Sequence, residues 1–484
     1  MKHVNWWVWE RSATIHLTHT AASSADFPLK QFHKECYGKN IYGFFKNGMV
    51  RWICDLDGLI LNGKKILPDF IDPLSYKKKL SKWKELTLNL EKTYSEIDKI
   101  DLSKLSDKEL LDLYIKFDKD YINWWGYTQV AELISYGGED ILKKELEKKN
   151  AMEYFTTLVT PTQKSYTNKE EEDLFEIVKL AKEKGINDLK VVDMIKKYTL
   201  NYFWIHNNFY DTINLDEAFF KKMIKQHLDE GTDVVAFKEN NEKRLKKIRI
   251  EKKDIIKSLD LSEDVSSIIW LIDDFCRLQD ERKAVNMKGN FYVDNFCKEF
   301  SRRKKISYTI LRWAVPDQIK DLLDGVEVDV DLIKKQGEHC VIIFNDHNLE
   351  YEIYVGKDAS EKEEELLGKP IAFDEITEIE GMCANTGRVK GKVRKLLTPR
   401  DINKMEDGEI LVSTMTSPDF VPAMKKASAI VTDEGGITCH AAVISRELGI
   451  PCVIGTKIAT KVLKDGDLIE IKANHGLIFL LDEE

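Results

Sequence analysis

GGITCHAAVISRELGIPCVIG, residues 435–455, decides how the C-terminal part of the chain folds. It follows ASAIVT, a short apolar run that reads as a buried strand. Asp433 to Ile437 reads as a turn. Thr438 stands where a helix cap belongs, and Cys439 to Leu448 form the helix, with Ala441, Ile444 and Leu448 on its packed face. Gly449 occupies the position where a left-handed residue ends a helix, and Pro451 bars continuation. His440 therefore falls in the first turn, beside unpaired backbone N–H groups and the positive end of the helix dipole. That end stabilises a phosphate. It also disfavours imidazolium, which keeps a nucleophilic lone pair on the ring. Gly435, Gly436, Ala441 and Ala442 leave room for a second site to close over it. A histidine that merely caps a helix would give the same local pattern.

Outward from this stretch, residues 376–484 are β-rich with two short helices: GRVKGKVRKLL, GEILVST, ASAIVTDEGG, DLIEIKA and GLIFLL read as strands. Residues 324–375 read as a hairpin around Asn345-Asp346, a short charged helix and a polar linker. Residues 73–323 are helical, in segments of about 15 to 25 residues with apolar positions three and four apart. In SDKELLDLYIKFDKDYINWW, Ser106 and Glu109 have capping-box spacing. Residues 1–72 carry short extended pieces around Asn47-Gly48 and Asp57-Gly58, both hairpin-type turns, and pack on the helical part. The expected class is multidomain α+β: a large, mainly α-helical N-terminal region with small β-hairpins, then a compact β/β/α domain.

At 484 residues the chain has room for roughly two to four domains. A net charge of −9 with Lys and Glu interspersed gives no basic patch for nucleic acid. No apolar run reaches the ~18 residues of a membrane span, and the N-terminus lacks the apolar core of a secretory signal. The eight cysteines are scattered, without a CxxC pair or zinc spacing. No metal site is read, and a reduced, cytoplasmic setting is expected.

CANTGRVKGKVRKL (383–396), GEILVSTMTSPDFVPAMKKASAIVTDEGG (408–436) and TCHAAVISRELGIPCVIGT (438–456) together resemble the mobile phosphohistidine domain of the phosphoenolpyruvate-utilising enzymes. That family includes phosphoenolpyruvate synthase, pyruvate phosphate dikinase and rifampin phosphotransferase. The resemblance implies that His440 is phosphorylated, on a domain that swivels between a phosphoryl-donor site and an acceptor site. Gly435, Gly436, Thr438, Cys439 and Ala441 surround it, and Thr438 matches a position that a regulatory kinase phosphorylates in some relatives. In the synthase and the dikinase an ATP-grasp domain precedes the mobile domain and a phosphoenolpyruvate/pyruvate barrel follows it. Neither is read in this chain, which ends at Glu484. A helical domain followed by the mobile domain is similar to rifampin phosphotransferase, where the helical domain binds the acceptor. The resemblance thus implies a phosphotransferase component that serves a small-molecule acceptor. A separate ATP-grasp protein would charge it, with ATP or phosphoenolpyruvate as ultimate donor and Mg2+ taking part in the transfer. A carrier or regulatory protein and an inactive relative are the alternatives, and a homodimer is left open.

Two stretches of the helical region supply acceptor-site candidates. In SEDVSSIIWLIDDFCRLQDERKAV, Ile268, Ile272, Phe275, Gln279 and Arg282 follow one helix face. Arg282 meets either a carboxylate from another helix or an anion in a cavity, and Lys283 is expected at the surface. In NYFWIHNNFYD, Tyr202, Ile205 and Phe209 make an aromatic stripe with His206 and Asn207 beside it. This is either the wall of a small-molecule pocket or a core helix with His206 bonded at its edge. Arg282 would hold the phosphoryl oxygens and His206 would serve as base.

Overall fold

The computed structural model describes residues 5–18, 40–345, 351–368, 377–436 and 439–481. The N-terminal strands β1 (Trp6–Ser12), β2 (Asn40–Lys46) and β3 (Met49–Asp55) join β4 (His339–Asn345) and β5 (Tyr351–Val355) in one antiparallel sheet ordered β1-β3-β2-β4-β5. The stretches read separately as 1–72 and 324–375 therefore share a sheet, through the pairing of Asn40–Lys46 with His339–Asn345. Asn47 and Gly48 make the β2–β3 turn with φ of 50° and 83°, the twist that suits a tight hairpin. Asp57-Gly58 is not a turn. Asp55 accepts the Asp57 N–H at 3.1 Å and so caps the helix Leu56–Ile71, which takes both residues into its first turn.

Long helices pack on this sheet. Leu56–Ile71 and Val130–Lys148 cross at Gly63 and Gly137, where a Cβ on Gly137 would lie 2.6 Å from the Gly63 carbonyl carbon. Asp107–Thr128 begins in the expected capping box: Glu109 N–H to Ser106 Oγ is 3.3 Å, and Ser106 N–H to Glu109 Oε2 is 2.8 Å. Through the middle runs Glu263–Lys304, a single helix of 42 residues, longer than the segments read from the sequence. It is buried on more than one face because it lies between two groups of helices, with Ile268, Ile272 and Phe275 in one cluster and Tyr292, Phe296 and Phe300 in another.

NYFWIHNNFYD does not continue a helix. The helix Leu189–Tyr202 ends inside it. Asn208 Oδ1 accepts from the N–H groups of Tyr210 and Asp211 at 2.7 and 2.8 Å, and Asn207 Oδ1 from Ile213 N–H at 2.7 Å. These side-chain acceptors offer the backbone an alternative to helical bonding.

The C-terminal domain is an eight-stranded mixed sheet: β6 (Glu378–Glu380), β7 (Met382–Asn385), β8 (Arg388–Lys395), β9 (Ile410–Ser413), β10 (Ala429–Thr432), β11 (Cys452–Ile454), β12 (Leu468–Lys472) and β13 (Leu477–Leu480), in the order β6-β13-β12-β8-β9-β10-β11-β7. The two end strands, β6 and β7, are separated in sequence by Gly381 alone, so the sheet must curl round on itself. The histidine helix, His440–Leu448, crosses between the parallel strands β10 and β11 and ends at Gly449 in the left-handed conformation, φ 70°. Cys439 is its N-cap, without a side-chain cap bond. Ile437 and Thr438 lie outside the described residues. Ala441 and Ala442 are 2% and 0% exposed, in the apolar cluster that also contains Ile268 and Phe275 of the long helix. They pack the domain down rather than leaving room above the ring. Gly436 has open space beside it, and Gly435 is required by its φ of 113° and by Cys439 Sγ, 2.7 Å from where a Cβ would sit.

Candidate active site

The turn before His440 is pinned by buried polar contacts. Asp433 accepts from Thr456 Oγ1 at 2.9 Å and from Thr460 N–H at 3.1 Å, while Glu434 N–H donates to the Thr414 carbonyl at 2.9 Å. The segment after β9 lies alongside, and its buried Thr416 places Oγ1 2.9 Å from His440 Nδ1. The tautomer that donates Nδ1–H to this hydroxyl leaves the lone pair on Nε2. Burial, then the charge of Lys283, pushes the His440 value down to about 3, so the ring is neutral. The sequence assigned neutrality to the helix dipole; burial and a neighbouring ammonium push in the same direction. Thr416→Val keeps the shape and removes the hydroxyl. It is expected to slow phosphoryl loading of His440 about fivefold to tenfold, the worth of one hydrogen bond of ~1 kcal/mol. An unchanged loading rate in a time course would show that the contact does not orient the ring.

The segments that flank the ring meet β1, and Lys283 of the long helix acts on the ring itself. Glu434 Oε2 accepts the Glu10 N–H at 3.1 Å, and Arg11 Nη2 lies 2.7 Å from Met415 Sδ. Arg244 approaches Glu447 at 3.9 Å farther out. Lys283 is half-buried, not a surface residue. Burial and Arg11 lower its value, against the pull of Asp280, Asp419 and Cys439. Asp419, raised by burial, is in turn influenced by His206 and Lys283. Lys283 thus acts on the histidine directly, while Arg11 and Asp419 act on Lys283 and His206 acts on Asp419.

Arg282 belongs to another network. It donates to Glu132 Oε1 at 2.5 Å, Thr128 O at 3.1 Å and Gln129 Oε1 at 3.3 Å, and lies 5.1 Å from the Trp125 ring centre. Gln279 donates to Glu132 Oε2 and Ser135 Oγ, both at 3.3 Å. The carboxylate that the sequence left open comes from the helix Val130–Lys148. Asn207 is buried and bonded to Met287 O at 3.1 Å. Only His206, edge-on to Phe219 at 5.3 Å, faces the histidine domain, through Asp419. Arg11, Thr416 and Lys283 were missed. Thr416 lay within the matched motif, whereas Arg11 and Lys283 are solitary cations whose placement depends on how the two regions meet. No three His, Cys, Asp or Glu residues converge to hold a metal among the described residues.

The interface also titrates. Burial pushes Glu434 up to about 8, with Glu10, Arg11 and Asp433 as its charged neighbours. Burial and Glu170 push Glu171, opposite Glu447 and Lys425, up to about 7. Freed carboxyls return to about 4.3, so closing the interface takes up protons. That contribution is fully present below about pH 4.3 and is lost as pH rises through 7 and 8. His440 opposes it only below its ordinary value of about 6.5, and Lys283, lowered chiefly by burial, opposes it above that, so the pH response tests whether the two carboxyls outweigh the lysine. Small-angle scattering is expected to show the chain opening as pH rises from 6 to 8, by up to tenfold in the closed-to-open ratio per proton and pH unit. Glu434→Gln is expected to flatten the response above pH 7; an identical profile in that variant would remove Glu434 from the account.

Residues 405–476 match the PEP-utilising enzyme mobile domain. The chain is 50% identical over 125 residues to a protein of Archaeoglobus fulgidus named probable phosphoenolpyruvate synthase, an alignment covering 26% of this chain and 16% of that protein. It is 54% identical over 101 residues to phosphoenolpyruvate synthase of Pyrococcus furiosus, covering 21% and 12%. The match therefore spans less than a fifth of these relatives' length. A solved structure of Enzyme I aligns with 65% of this chain and 79% of its own at 13% identity, with a TM-score of 0.17. No helix among the described residues is long and apolar enough to cross a membrane. What these comparisons share is the C-terminal segment, residues 405–476, which matches the mobile domain of the PEP-utilising enzymes.

Proposed function

We propose that the chain relays a phosphoryl group through His440 to a small-molecule acceptor held where the mobile domain meets the helical region. The carrying observation is a neutral imidazole whose Nδ1 is occupied by Thr416, so that Nε2 is the free nucleophile, set opposite Lys283. Nε2 attacks the donor's phosphorus; the N–P bond forms as the bond to the donor's leaving oxygen breaks. In the second transfer an acceptor hydroxyl forms the new O–P bond. The N–P bond breaks, its electron pair returns to the ring, and the acceptor's proton passes to His206. Lys283 takes the part of phosphoryl-holding cation that the sequence gave to Arg282, because Arg282 is already committed to Glu132. The donor protein is a separate ATP-grasp enzyme using ATP, with phosphoenolpyruvate the other donor to try.

The test is to incubate the full chain with extract of its own cells and labelled ATP or phosphoenolpyruvate. Acid-labile phosphate is then mapped by mass spectrometry. Label on the peptide containing His440 is the expected result, and label confined to other residues would overturn the relay.

A further inference from the structure

We propose that Arg11, on the N-terminal strand, forms with Lys283 a binding site for the phosphoryl group carried by His440. The identity of the anion rests on the relay reading; the cation site itself does not. β1 projects Trp9 and Arg11 on the same side, two residues apart. Trp9 packs edge-on against Phe209 with ring centres 5.1 Å apart, and the Arg11 guanidinium lies 4.1 Å from the centre of the first ring and 5.3 Å from that of the second. Two rings thus fix the direction of a side chain that would otherwise be mobile. Its Nη2 rests 2.7 Å from Met415 Sδ, a neutral atom, and Met415 is the neighbour of Thr416, which holds His440 Nδ1.

Among the described residues the guanidinium makes no ion pair, and the acidic group that acts on it is Glu434. Its Nε is sealed from solvent and has no partner among the described residues, yet the side chain as a whole keeps some exposed surface. The nearest carboxyl, Glu434, turns one oxygen to the Glu10 N–H and leaves the other buried and unpartnered. Burial holds that carboxyl largely protonated at neutral pH, so it offers Arg11 little negative charge. Lys283 is a second cation of the same kind: no hydrogen bond or ion pair joins it to Asp280 or Asp419, and Asp280 is already bonded to the Tyr166 N–H at 2.5 Å. Two cations that repel each other, neither held in an ion pair and one of them acting on the neutral imidazole, are costly to bury. A phosphoryl dianion on Nε2 supplies the missing charge, and a planar guanidinium can take two of its oxygens at once. A purely structural Arg11 would instead sit in an ion pair, as Arg282 does with Glu132.

The experiment titrates the full, unphosphorylated chain with inorganic phosphate, against chloride at matched ionic strength. Melting temperature and tryptophan fluorescence are the readouts, the latter because Trp9 lies under the guanidinium. Phosphate is expected to raise the melting temperature and change the emission. Arg11→Met, which keeps the stem and removes the charge, is expected to weaken that response at least tenfold, and Lys283→Met, on a separate element, to do the same. Arg11→Lys is expected to fall between parent and Met variant, and it serves as the readout should the Met variant fail to fold. A parent chain that does not respond to phosphate, or an Arg11→Met chain that responds as the parent does, overturns the proposal. His440→Ala is expected to bind phosphate still, and a parent chain that binds phosphate but takes no label at His440 would sink the relay and leave the cation site standing.

Discussion

His440→Ala is expected to bring phosphoryl loading of the chain to background while leaving the fold unchanged. Removing a covalent nucleophile costs on the order of 10⁴ to 10⁶ in rate, and here no neighbouring group can replace it. Cys439 is the closest alternative in sequence, but burial raises its thiol, which leaves little thiolate. The structural cost is small because the ring is half-buried and its one side-chain hydrogen bond among the described residues is to Thr416. The helix keeps its C-terminal stop at Gly449 and its packed Ala441 and Ala442, and alanine suits a first helical turn. The stability change should stay within about 1 kcal/mol, one hydrogen bond's worth. A histidine serving only as a helix cap would give the reverse: a measurable loss in melting temperature and no change in labelling. Paired calorimetry and phosphate mapping on the same preparation separate the two.

The local features were legible because local forces decide them. The helix after β10, its stop at Gly449, the Asn47-Gly48 hairpin and the Ser106–Glu109 box each depend on a few adjacent residues. Asp57-Gly58 misled because a dipeptide that suits a turn also suits the first turn of a capped helix, and Asp55, two residues earlier, settled the matter. The aromatic stretch 201–211 misled because its asparagines compete with the helix for the same backbone N–H groups. The face of the long helix was read correctly as far as Arg282, whose partner, Glu132, lies 150 positions away and could not be named. Lys283 was placed at the surface on the premise that a helix has one buried face. A helix packed on several sides has no such solvent face, and nothing in its own 42 residues announces that. Arg11 is the extreme case: its surroundings come from β1, from residue 209 and from Met415.

Asp273→Ala is expected to cost about 3–5 kcal/mol of stability in the helical region, the penalty of leaving a buried charge without its partner. Asp273 is 2% exposed on the long helix and accepts from Lys252 Nζ at 3.0 Å, Thr162 N–H at 2.7 Å and Thr162 Oγ1 at 2.9 Å. Lys252 is 0% exposed, and its value is lowered chiefly by burial, against the pull of Asp273. Without the carboxylate, an ammonium, an amide and a hydroxyl would be stranded together. The double change Lys252→Met with Asp273→Leu removes both charges and should recover most of the loss, since a buried pair roughly breaks even against apolar groups of similar size. Denaturant unfolding followed by tryptophan emission distinguishes these results: a double variant no more stable than the single one would mean that the Thr162 bonds, not the charge pair, carry the energy. The pair also matters for the site. Asp273 fastens Thr162, and four residues on Tyr166 gives its N–H to Asp280, one of the two carboxyls nearest Lys283. Loosening that turn should therefore slow phosphoryl transfer to the acceptor even under conditions where the Asp273→Ala chain remains folded, while loading of His440 by the donor proceeds at the parent rate.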